Sequence, residues 1–252
     1  MRHVAIIQAR LGSSRFPGKT LERLYDKSLL EHILERVRAT RQVQAIVVAT
    51  TLAPSDDPLA RVTEHLRVGL FRGSETNVLE RFHGAAMRFG AEVIVRVTAD
   101  DPFKDPEVID QGIQLLHAGN YDYCSNTLKP SFPEGIDIEV FRVSALDRAF
   151  REARLDSEKE HVTPYVWKHP EIFRLHNFSY PEDLSHLRWT IDYENDLHFA
   201  REVYRRLYPN KRIFLMRDIL DLLAEEPELS KINSGVMRNE GYGVSLAKEA
   251  QK

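Results

Sequence analysis

The chain has 252 residues, of which 42% are hydrophobic, and a net charge of -3 with acidic and basic side chains interspersed along it. The hydrophobic content suffices for the core of one large domain, and the near-neutral charge provides no overall attraction to nucleic acids or membrane surfaces. Cys124 is the single cysteine, which excludes an intrachain disulfide and argues against a cysteine-based metal site. The first residues lack a signal-peptide pattern and no segment reaches about 20 apolar residues, so we expect a cytoplasmic protein.

Strand and helix patterns alternate over roughly the first 120 residues. Short continuous apolar runs, typical of strands covered on both faces, span residues 3–9, 45–50, 68–73 and 92–100. Amphipathic helices are predicted at residues 28–40, 56–66, 77–90 and 105–119. Three of these helices have predicted N-terminal caps, formed by Ser28 with Glu31, by Asn77 and by Asp105. The alternation predicts an α/β fold with a doubly wound, mostly parallel sheet flanked by helices.

The pattern changes after residue 120. Strands are predicted at residues 121–126, 135–143, 173–180 and 187–193, and helices at residues 144–154, 196–208 and 215–226. We interpret residues 1–226 as one domain, in which residues 121–185 form a substrate-binding elaboration. Residues 227–252 form a polar tail that we expect to be only partly ordered.

A loop with three cations follows the first predicted strand. It reads ARLGSSRFPGKT and carries Arg10, Arg15 and Lys19 around the small residues 12–14. Ligands of open α/β sheets lie beyond the carboxyl ends of the strands, where this loop begins. Backbone N–H groups, one guanidinium fork and one ammonium charge together suit a polyanion such as a triphosphate.

Two other interpretations of this loop stay open. A Walker A loop has four residues between its glycines, whereas Gly12 and Gly18 are separated by five residues that include Pro17. The loop is therefore one residue too long for a P-loop. The other alternative is a solvated surface loop in which basic residues happen to cluster.

Carboxylates follow two other predicted strands. Asp100 and Asp101 end the strand at residues 92–100, and Asp192 ends the strand at residues 187–193. We interpret Asp101, which precedes Pro102, as a turn residue. Asp100 and Asp192 remain available, and carboxylate oxygens are the protein ligands that Mg²⁺ prefers. The sequence therefore predicts that Asp100 and Asp192 share one magnesium ion.

Four motifs occur in a characteristic order: IIQARLGSSRFPGKTL, FRGSETNVLERF, VIVRVTADDP and LRWTIDYENDL. In this order they resemble the cytidylyltransferase family, in particular SpsF-type proteins and their relatives CMP-KDO synthetase and acylneuraminate cytidylyltransferase. The resemblance covers roughly residues 3–205. It implies a Rossmann-like nucleotide-diphospho-sugar transferase fold of the GT-A-like kind. It also implies CTP-dependent transfer of CMP to a sugar or sugar acid, with Mg²⁺ as cofactor and pyrophosphate as product.

The resemblance also implies roles for individual residues. The triphosphate loop is matched by Arg10, Gly12, Ser13, Arg15 and Lys19, and among these Arg15 and Lys19 would hold the β- and γ-phosphates. The segment along the base and ribose is matched by Arg72, Gly73 and Ser74. The two magnesium aspartates are matched by Asp100 and Asp192. With Arg15 and Lys19, Asp100 completes the expected catalytic set.

The acceptor side is less well defined. His161 and Arg188 are candidate contacts to a sugar carboxylate or phosphate, although a structural histidine is the ordinary alternative for His161. Asp101 stands where SpsF-type sequences often have cysteine, and it adds a negative charge beside the expected metal ligand Asp100. The resemblance and the aromatic content of residues 163–173 suggest a homodimer.

Three other functions are compatible with these motifs. A nucleotidyltransferase of the same fold could use another nucleoside triphosphate with a sugar 1-phosphate, because phosphate contacts do not read the base. A regulatory nucleotide-binding protein would have lost catalysis, which the joint presence of Arg15, Lys19, Asp100 and Asp192 argues against. A P-loop NTPase would hydrolyse ATP or GTP without an acceptor.

Overall fold

A seven-stranded sheet runs through the protein in the computed structural model, which describes residues 1–13 and 15–251. The strands are β1 (His3–Gln8), β2 (Arg23–Leu24), β3 (Lys27–Ser28), β4 (Ala45–Thr51), β5 (Gly69–Gly73), β6 (Val93–Thr98), β7 (Tyr123–Ser125), β8 (Glu139–Arg142) and β9 (Leu175–Asn177). The helices are α1 (Leu29–Arg38), α2 (Asp57–His65), α3 (Val78–Arg88), α4 (Pro106–Ala118), α5 (Val143–Glu152), α6 (Asp156–His161), α7 (Pro164–Trp167), α8 (Glu194–Leu207), α9 (Met216–Glu225) and α10 (Glu240–Glu249). No helix within the described residues is long and apolar enough to cross a membrane.

The sheet has the strand order β5-β4-β1-β6-β8-β7-β9. Its first four strands are parallel, β8 is antiparallel to both β6 and β7, and β9 is parallel to β7. The predicted mostly parallel sheet is confirmed. The small β2–β3 hairpin is separate from it.

Helices cover both faces of this sheet because the central strands are apolar on both sides. Ala5 and Ile7 of β1 face a core that includes α1, α4, α8 and α9, whereas Val4 and Ile6 face a second core that includes α3 and α5. All four side chains are fully buried. Continuous apolar runs of this kind are therefore the signature of a doubly covered sheet.

The predicted caps are present at three helix N-termini. Ser28 and Glu31 form a reciprocal capping box at α1. The side chain of Asn77 accepts a hydrogen bond from Glu80 N at α3, and that of Asp105 accepts one from Glu107 N at α4. These local bonds satisfy backbone donors that the first helical turn leaves free.

The strand predicted at residues 187–193 was wrong. Among the described residues the segment makes one isolated bridge, between Arg188 and Glu134, and it bends at Thr190 and Asp192 instead of joining the sheet. Trp189 N donates to Glu134 O at 2.7 Å, and Ile191 N donates to Asp100 O at 2.8 Å. The segment therefore crosses the end of β6, and this crossing brings Asp192 beside Asp100.

The polar tail is more ordered than its composition indicated. Residues 227–251 contain a 3-10 turn at Pro227–Lys231 and helix α10, which packs on α6. Their polar side chains have partners in the body of the protein: Arg238 binds Asp137, and Ser245 lies 3.0 Å from His161 Nε2. The polar composition predicted only partial order, because composition does not reveal partners that are distant in sequence.

Gly135 provides a test of the turn that brings Glu134 to the 187–193 segment. It has φ +105°, and a Cβ atom would lie 2.7 Å from the Trp189 carbonyl carbon and 2.9 Å from Thr190 N. We expect Gly135→Ala to lower the free energy of unfolding by about 3 kcal/mol or more, because backbone strain and a backbone clash add. Urea denaturation measures this change.

Gly235→Ala is the matched control. Gly235 also has a positive φ, +89°, but a Cβ atom there would meet no atom of the described residues within 4 Å. We expect a loss of only about 1 kcal/mol from strain alone. Equal losses in the two variants would contradict the close approach at Gly135.

Candidate active site

A cavity of about 790 Å³ opens at the carboxyl ends of the central strands. Its walls come from the loop after β1, the segment after β6, residues 190–193, the α6–α7 region and the C-terminal segment at residues 239–248. Of the predicted site residues, Arg10, Ser13, Arg15, Lys19, Asp100, His161 and Asp192 line this cavity. The structure thus brings most of the predicted set together.

Lys19 is the centre of the cationic loop. Gly18, with φ +77°, turns the chain into a short 3-10 helix that begins at Lys19. The Lys19 ammonium donates to Asp100 Oδ2 at 2.9 Å, to Asp192 Oδ1 at 2.8 Å and to the Ile191 carbonyl at 2.6 Å. Burial lowers the pKa of Lys19, but the two carboxylates outweigh it and raise the pKa above its ordinary value. Lys19 is therefore charged at any physiological pH.

Asp100 follows β6 and keeps its negative charge. Burial disfavours the carboxylate, but the Lys19 charge and its hydrogen bond outweigh burial and lower the pKa of Asp100 to about 2. The Asp100 side chain is still 28% exposed, so it faces the cavity while it is bound to Lys19. This arrangement provides an ionised oxygen ligand at the cavity wall.

Asp192 is held from behind by Arg188. The Arg188 guanidinium donates to Asp192 Oδ2 at 3.0 Å, to Glu134 Oε2 at 2.7 Å and to Asp196 Oδ1 at 3.0 Å. Asp196, in the first turn of α8, also accepts the backbone N–H groups of Asp192 and Tyr193. Burial lowers the pKa of Arg188, but its hydrogen bond to Asp196 and the three carboxylates outweigh burial and raise it.

Arg188 is therefore a positioning residue in this structure. It is 7% exposed and lies beneath the cavity wall rather than among the lining residues. Its predicted contact with the acceptor stays a prediction.

Arg15 lies at the mouth of the site, with a side chain that is 33% exposed. It donates to Asp192 Oδ1 at 2.7 Å and to Glu240 Oε2 at 3.0 Å. The Tyr193 hydroxyl donates to the same Glu240 oxygen at 2.7 Å. Glu240 was not among the predicted site residues, because nothing in the sequence of the polar tail indicates that it would reach the cavity.

The remaining loop residues are spread along one side of the site. The Arg10 side chain is 43% exposed and lies 4.0 Å from Glu75, and Ser13 Oγ accepts a hydrogen bond from Phe16 N. A Cβ atom on Gly12 would also meet Glu75, at 3.9 Å. Ser14, one of the small residues in the predicted anion loop, lies outside the described residues.

The predicted base and ribose segment lies beside the cavity, not in its lining. Arg72 is bound to the carbonyls of Thr51 and Ala53, each at 2.8 Å, and to Asp57 at 2.7 Å. It thereby ties β5 to the connection between β4 and α2. Ser74 Oγ accepts a hydrogen bond from Asn77 N, just before α3. The nucleotide contacts of Arg72, Gly73 and Ser74 stay predictions.

The opposite side of the cavity contains His161. Its Nε2 lies 3.0 Å from Ser245 Oγ, and the Ser245 hydroxyl donates to Glu160. Burial, followed by the charge of Arg96, lowers the pKa of His161 to about 4. His161 is therefore neutral near pH 7, so it can exchange hydrogen bonds with an acceptor but contributes no positive charge.

The extra charge of Asp101 is offset by Lys104, whose ammonium lies 2.8 Å from Asp101 Oδ2.

The aromatic residues in the proposed dimer segment make contacts within the chain, since Tyr165 and Phe173 are buried and Trp167 lines the cavity. The homodimer therefore stays a prediction that rests on the resemblance.

Asp100 and Asp192 could hold a metal ion. Their carboxylates bind one ammonium group and are therefore close neighbours at the cavity wall. The described residues contain no cluster of three or more acidic, histidine or cysteine side chains suited to a metal. Mg²⁺ in nucleotide enzymes commonly takes one or two carboxylates and completes its shell with phosphates and water, so the pair suits magnesium better than a metal held by protein ligands alone.

Arg188→Met tests whether the buried ion cluster supports the site. The change leaves Glu134, Asp192 and Asp196 without their shared cation, so we expect the free energy of unfolding to fall by about 3–5 kcal/mol. Arg201→Met is the control, because Arg201 is 47% exposed and pairs with Glu22 at the surface. There we expect a change of at most about 1 kcal/mol. Comparable urea-denaturation midpoints for Arg188→Met and the wild type would contradict this role.

Comparisons with known proteins agree with this architecture. The family model described as Cytidylyltransferase matches residues 4–222. The spore coat polysaccharide biosynthesis protein SpsF of Bacillus subtilis is 36% identical over 210 residues, which are 80% of this chain and 85% of that protein. A 3-deoxy-manno-octulosonate cytidylyltransferase of Geobacter sulfurreducens is 37% identical over 131 residues, about half of each chain.

Solved structures show the same fold. A cytidylyltransferase structure from Leptospira borgpetersenii superposes with a TM-score of 0.89 and 29% identity, covering 94% of this chain and 100% of that one. The mostly parallel sheet flanked by helices is thus the Rossmann-like fold of nucleotidyltransferases. A nucleotidyltransferase needs the aligned cations and carboxylates described above more than it needs an activated nucleophile. The chain belongs to the cytidylyltransferase family, and it is a nucleotidyltransferase.

Proposed function

We propose that this enzyme transfers CMP from CTP to a sugar or sugar acid and releases pyrophosphate. The observation that carries the proposal is the placement of Lys19, between Asp100 and Asp192 and at the wall of a cavity of about 790 Å³. The relatives support the choice of base and acceptor, since one is named as a 3-deoxy-manno-octulosonate cytidylyltransferase and another as a polysaccharide biosynthesis protein. The product would be a CMP-sugar for surface polysaccharide or glycan synthesis.

Arg15 and Lys19 would bind the phosphates that leave as pyrophosphate. Both side chains already donate to the same anionic oxygen, Asp192 Oδ1, at 2.7 and 2.8 Å. Phosphate oxygens are anionic acceptors of the same kind, and guanidinium groups bind them through paired hydrogen bonds. Arg15 is the more exposed of the two and can exchange a carboxylate for a phosphate with little rearrangement.

Mg²⁺ would be held by Asp100 and Asp192 together with phosphate oxygens. When bound, the ion neutralises phosphate charge and polarises phosphoryl oxygens. The low pKa of Asp100 keeps this carboxylate ionised at neutral pH, as a magnesium ligand must be. Arg188 and Asp196 would keep Asp192 in position during turnover.

The acceptor would occupy the part of the cavity near His161. Neutral His161 and the Ser245 hydroxyl can exchange hydrogen bonds with sugar hydroxyls. Arg96 and Lys104 also line this cavity, although Glu139 and Asp101 already pair with them. A second candidate function, with another nucleoside triphosphate and a sugar 1-phosphate, uses the same phosphate contacts and differs in base and acceptor.

The test of the proposed function is release of pyrophosphate. CTP, UTP, GTP, ATP and dTTP are each incubated with Mg²⁺ and with a panel of sugar acids and sugar phosphates. We expect release with CTP only when a suitable acceptor is present. Release with a different nucleotide and a sugar 1-phosphate would favour the second function.

Asp100→Asn tests the metal ligand. We expect magnesium-dependent turnover to fall by a factor of about 10² or more, because a neutral amide binds the ion poorly and the phosphate charge is less well stabilised. Asp147→Asn, at a half-exposed position on α5, should retain wild-type turnover. Near-normal kcat for Asp100→Asn across a magnesium titration would remove Asp100 from the mechanism.

A further inference from the structure

Arg81 of α3 is a buried cation without an acidic partner among the residues that the structure describes. The residue is 2% exposed, yet no carboxylate in residues 1–13 or 15–251 lies within ion-pair distance of it. Two other buried guanidinium groups have more partners: Arg188 binds three carboxylates, and Arg36 donates to the carbonyls of Phe103, Lys104 and Phe214, although its Nη1 is unpartnered among the described residues. Burying a charge without such partners is costly.

The hydrogen bonds of Arg81 are also incomplete. One Nη1 hydrogen bond reaches the Ser74 carbonyl, and Nε, which is inaccessible to solvent, has no partner among the described residues. Burial, followed by repulsion from Arg10, lowers the pKa of Arg81 to about 10, and Asp56 and Glu75 oppose this shift without reversing it. A buried donor without a partner calls for a physical explanation, and a bound anion is one that also compensates the charge.

Arg81 lines the same cavity as Lys19 and Asp100. Its aliphatic part lies against Gly73, where an added Cβ atom would meet Arg81 Cγ at 3.3 Å. Val78, the first residue of α3, also lines the cavity, so the positive end of this 11-residue helix lies on the same wall. Arg10 adds a second guanidinium group nearby, and its own partner Glu75 is 4.0 Å away.

We infer that Arg81, together with Arg10, binds a phosphate oxygen of the nucleoside triphosphate. The inference rests on the proposed function in that it takes a nucleoside triphosphate as the ligand. A phosphate supplies the negative charge that Arg81 lacks among the described residues, it is favoured by the nearby Arg10 and helix N-terminus, and its oxygens fit a guanidinium fork. A carbonyl of the base accepts a hydrogen bond but leaves the positive charges uncompensated.

Isothermal titration calorimetry with CTP and with inorganic tripolyphosphate tests this inference, in buffer containing Mg²⁺. Arg81→Met keeps most of the side-chain volume and removes the charge, and Arg81→Lys keeps the charge and removes the fork. We expect Arg81→Met to bind both ligands about 10- to 100-fold more weakly, as the loss of a hydrogen bond to a charged group predicts. Arg81→Lys should lie between this variant and the wild type. Arg88→Met, at an exposed position on the same helix, should bind both like the wild type.

The unfolding temperature of the free protein distinguishes binding from a structural role. We expect no decrease for Arg81→Met, because the buried charge it removes has no carboxylate partner within residues 1–13 and 15–251. A decrease with unchanged binding of both ligands would overturn the inference. Weaker binding of CTP with unchanged binding of tripolyphosphate would also overturn it, since Arg81 would then contact the base or the sugar. If Arg81→Met does not fold, then wild-type binding of both CTP and tripolyphosphate by Arg81→Lys would overturn the inference.

The wild type separates this inference from the proposed function. Binding of tripolyphosphate without binding of CTP would reject the proposed nucleotide, while Arg81→Met would still test the phosphate contact. A wild type that binds neither ligand would reject both.

Discussion

The ammonium group of Lys19 joins the cationic loop to two segments that are far away in sequence, one at Asp100 and one at residues 191–192. It binds the carboxylate that follows β6, the carboxylate of Asp192 and the carbonyl of Ile191. Two like-charged carboxylates would repel each other at the end of the sheet without this cation between them. The cavity depends on the same contacts of Lys19, because these contacts hold the cationic loop and the 187–193 segment next to Asp100. The charged side chains of the site thus form a network of ion pairs that runs from Asp100 through Lys19 and Asp192 to Arg188.

This network also explains why residues 187–193 lie across the end of the sheet and do not form another of its strands. Backbone bonds to Asp100 and Glu134 hold residues 187–191 across the end of the sheet. Arg188 and Asp196 then fix Asp192 from the side that faces away from the cavity. A site built in this way keeps its ligand-binding oxygens on well-packed elements, which is the requirement for precise placement of phosphates. The C-terminal segment completes the wall, with Glu240 on Arg15 and Ser245 on His161.

Much of the fold could be predicted because its signals are local. Apolar runs for strands, amphipathic spacing for helices and capping residues such as Ser28 and Asn77 act within a few residues, and the structure contains each of them. The errors have a common cause. The strand expected at residues 187–193 has the right composition but finds no neighbour in the sheet, and the polar tail orders through partners more than 80 residues away, such as Asp137 and His161.

The sequence by itself determined the kinds of chemical group that line the cavity, and it placed the cationic loop and Asp100 after strands of the sheet; Asp192 follows a segment that does not join the sheet. Arg15, Lys19, Asp100 and Asp192 could all be named in advance, because motif order and the position of strand ends are properties of the chain alone. Only the tertiary structure decided which charges are paired. Arg188 is neutralised by three acids, Arg72 is tied to neighbouring loops, and Arg81 is left without an acidic partner among the described residues. Whether two charged side chains pair depends on distances of a few ångströms between segments that are remote in sequence. The order of residues along the chain does not give these distances directly.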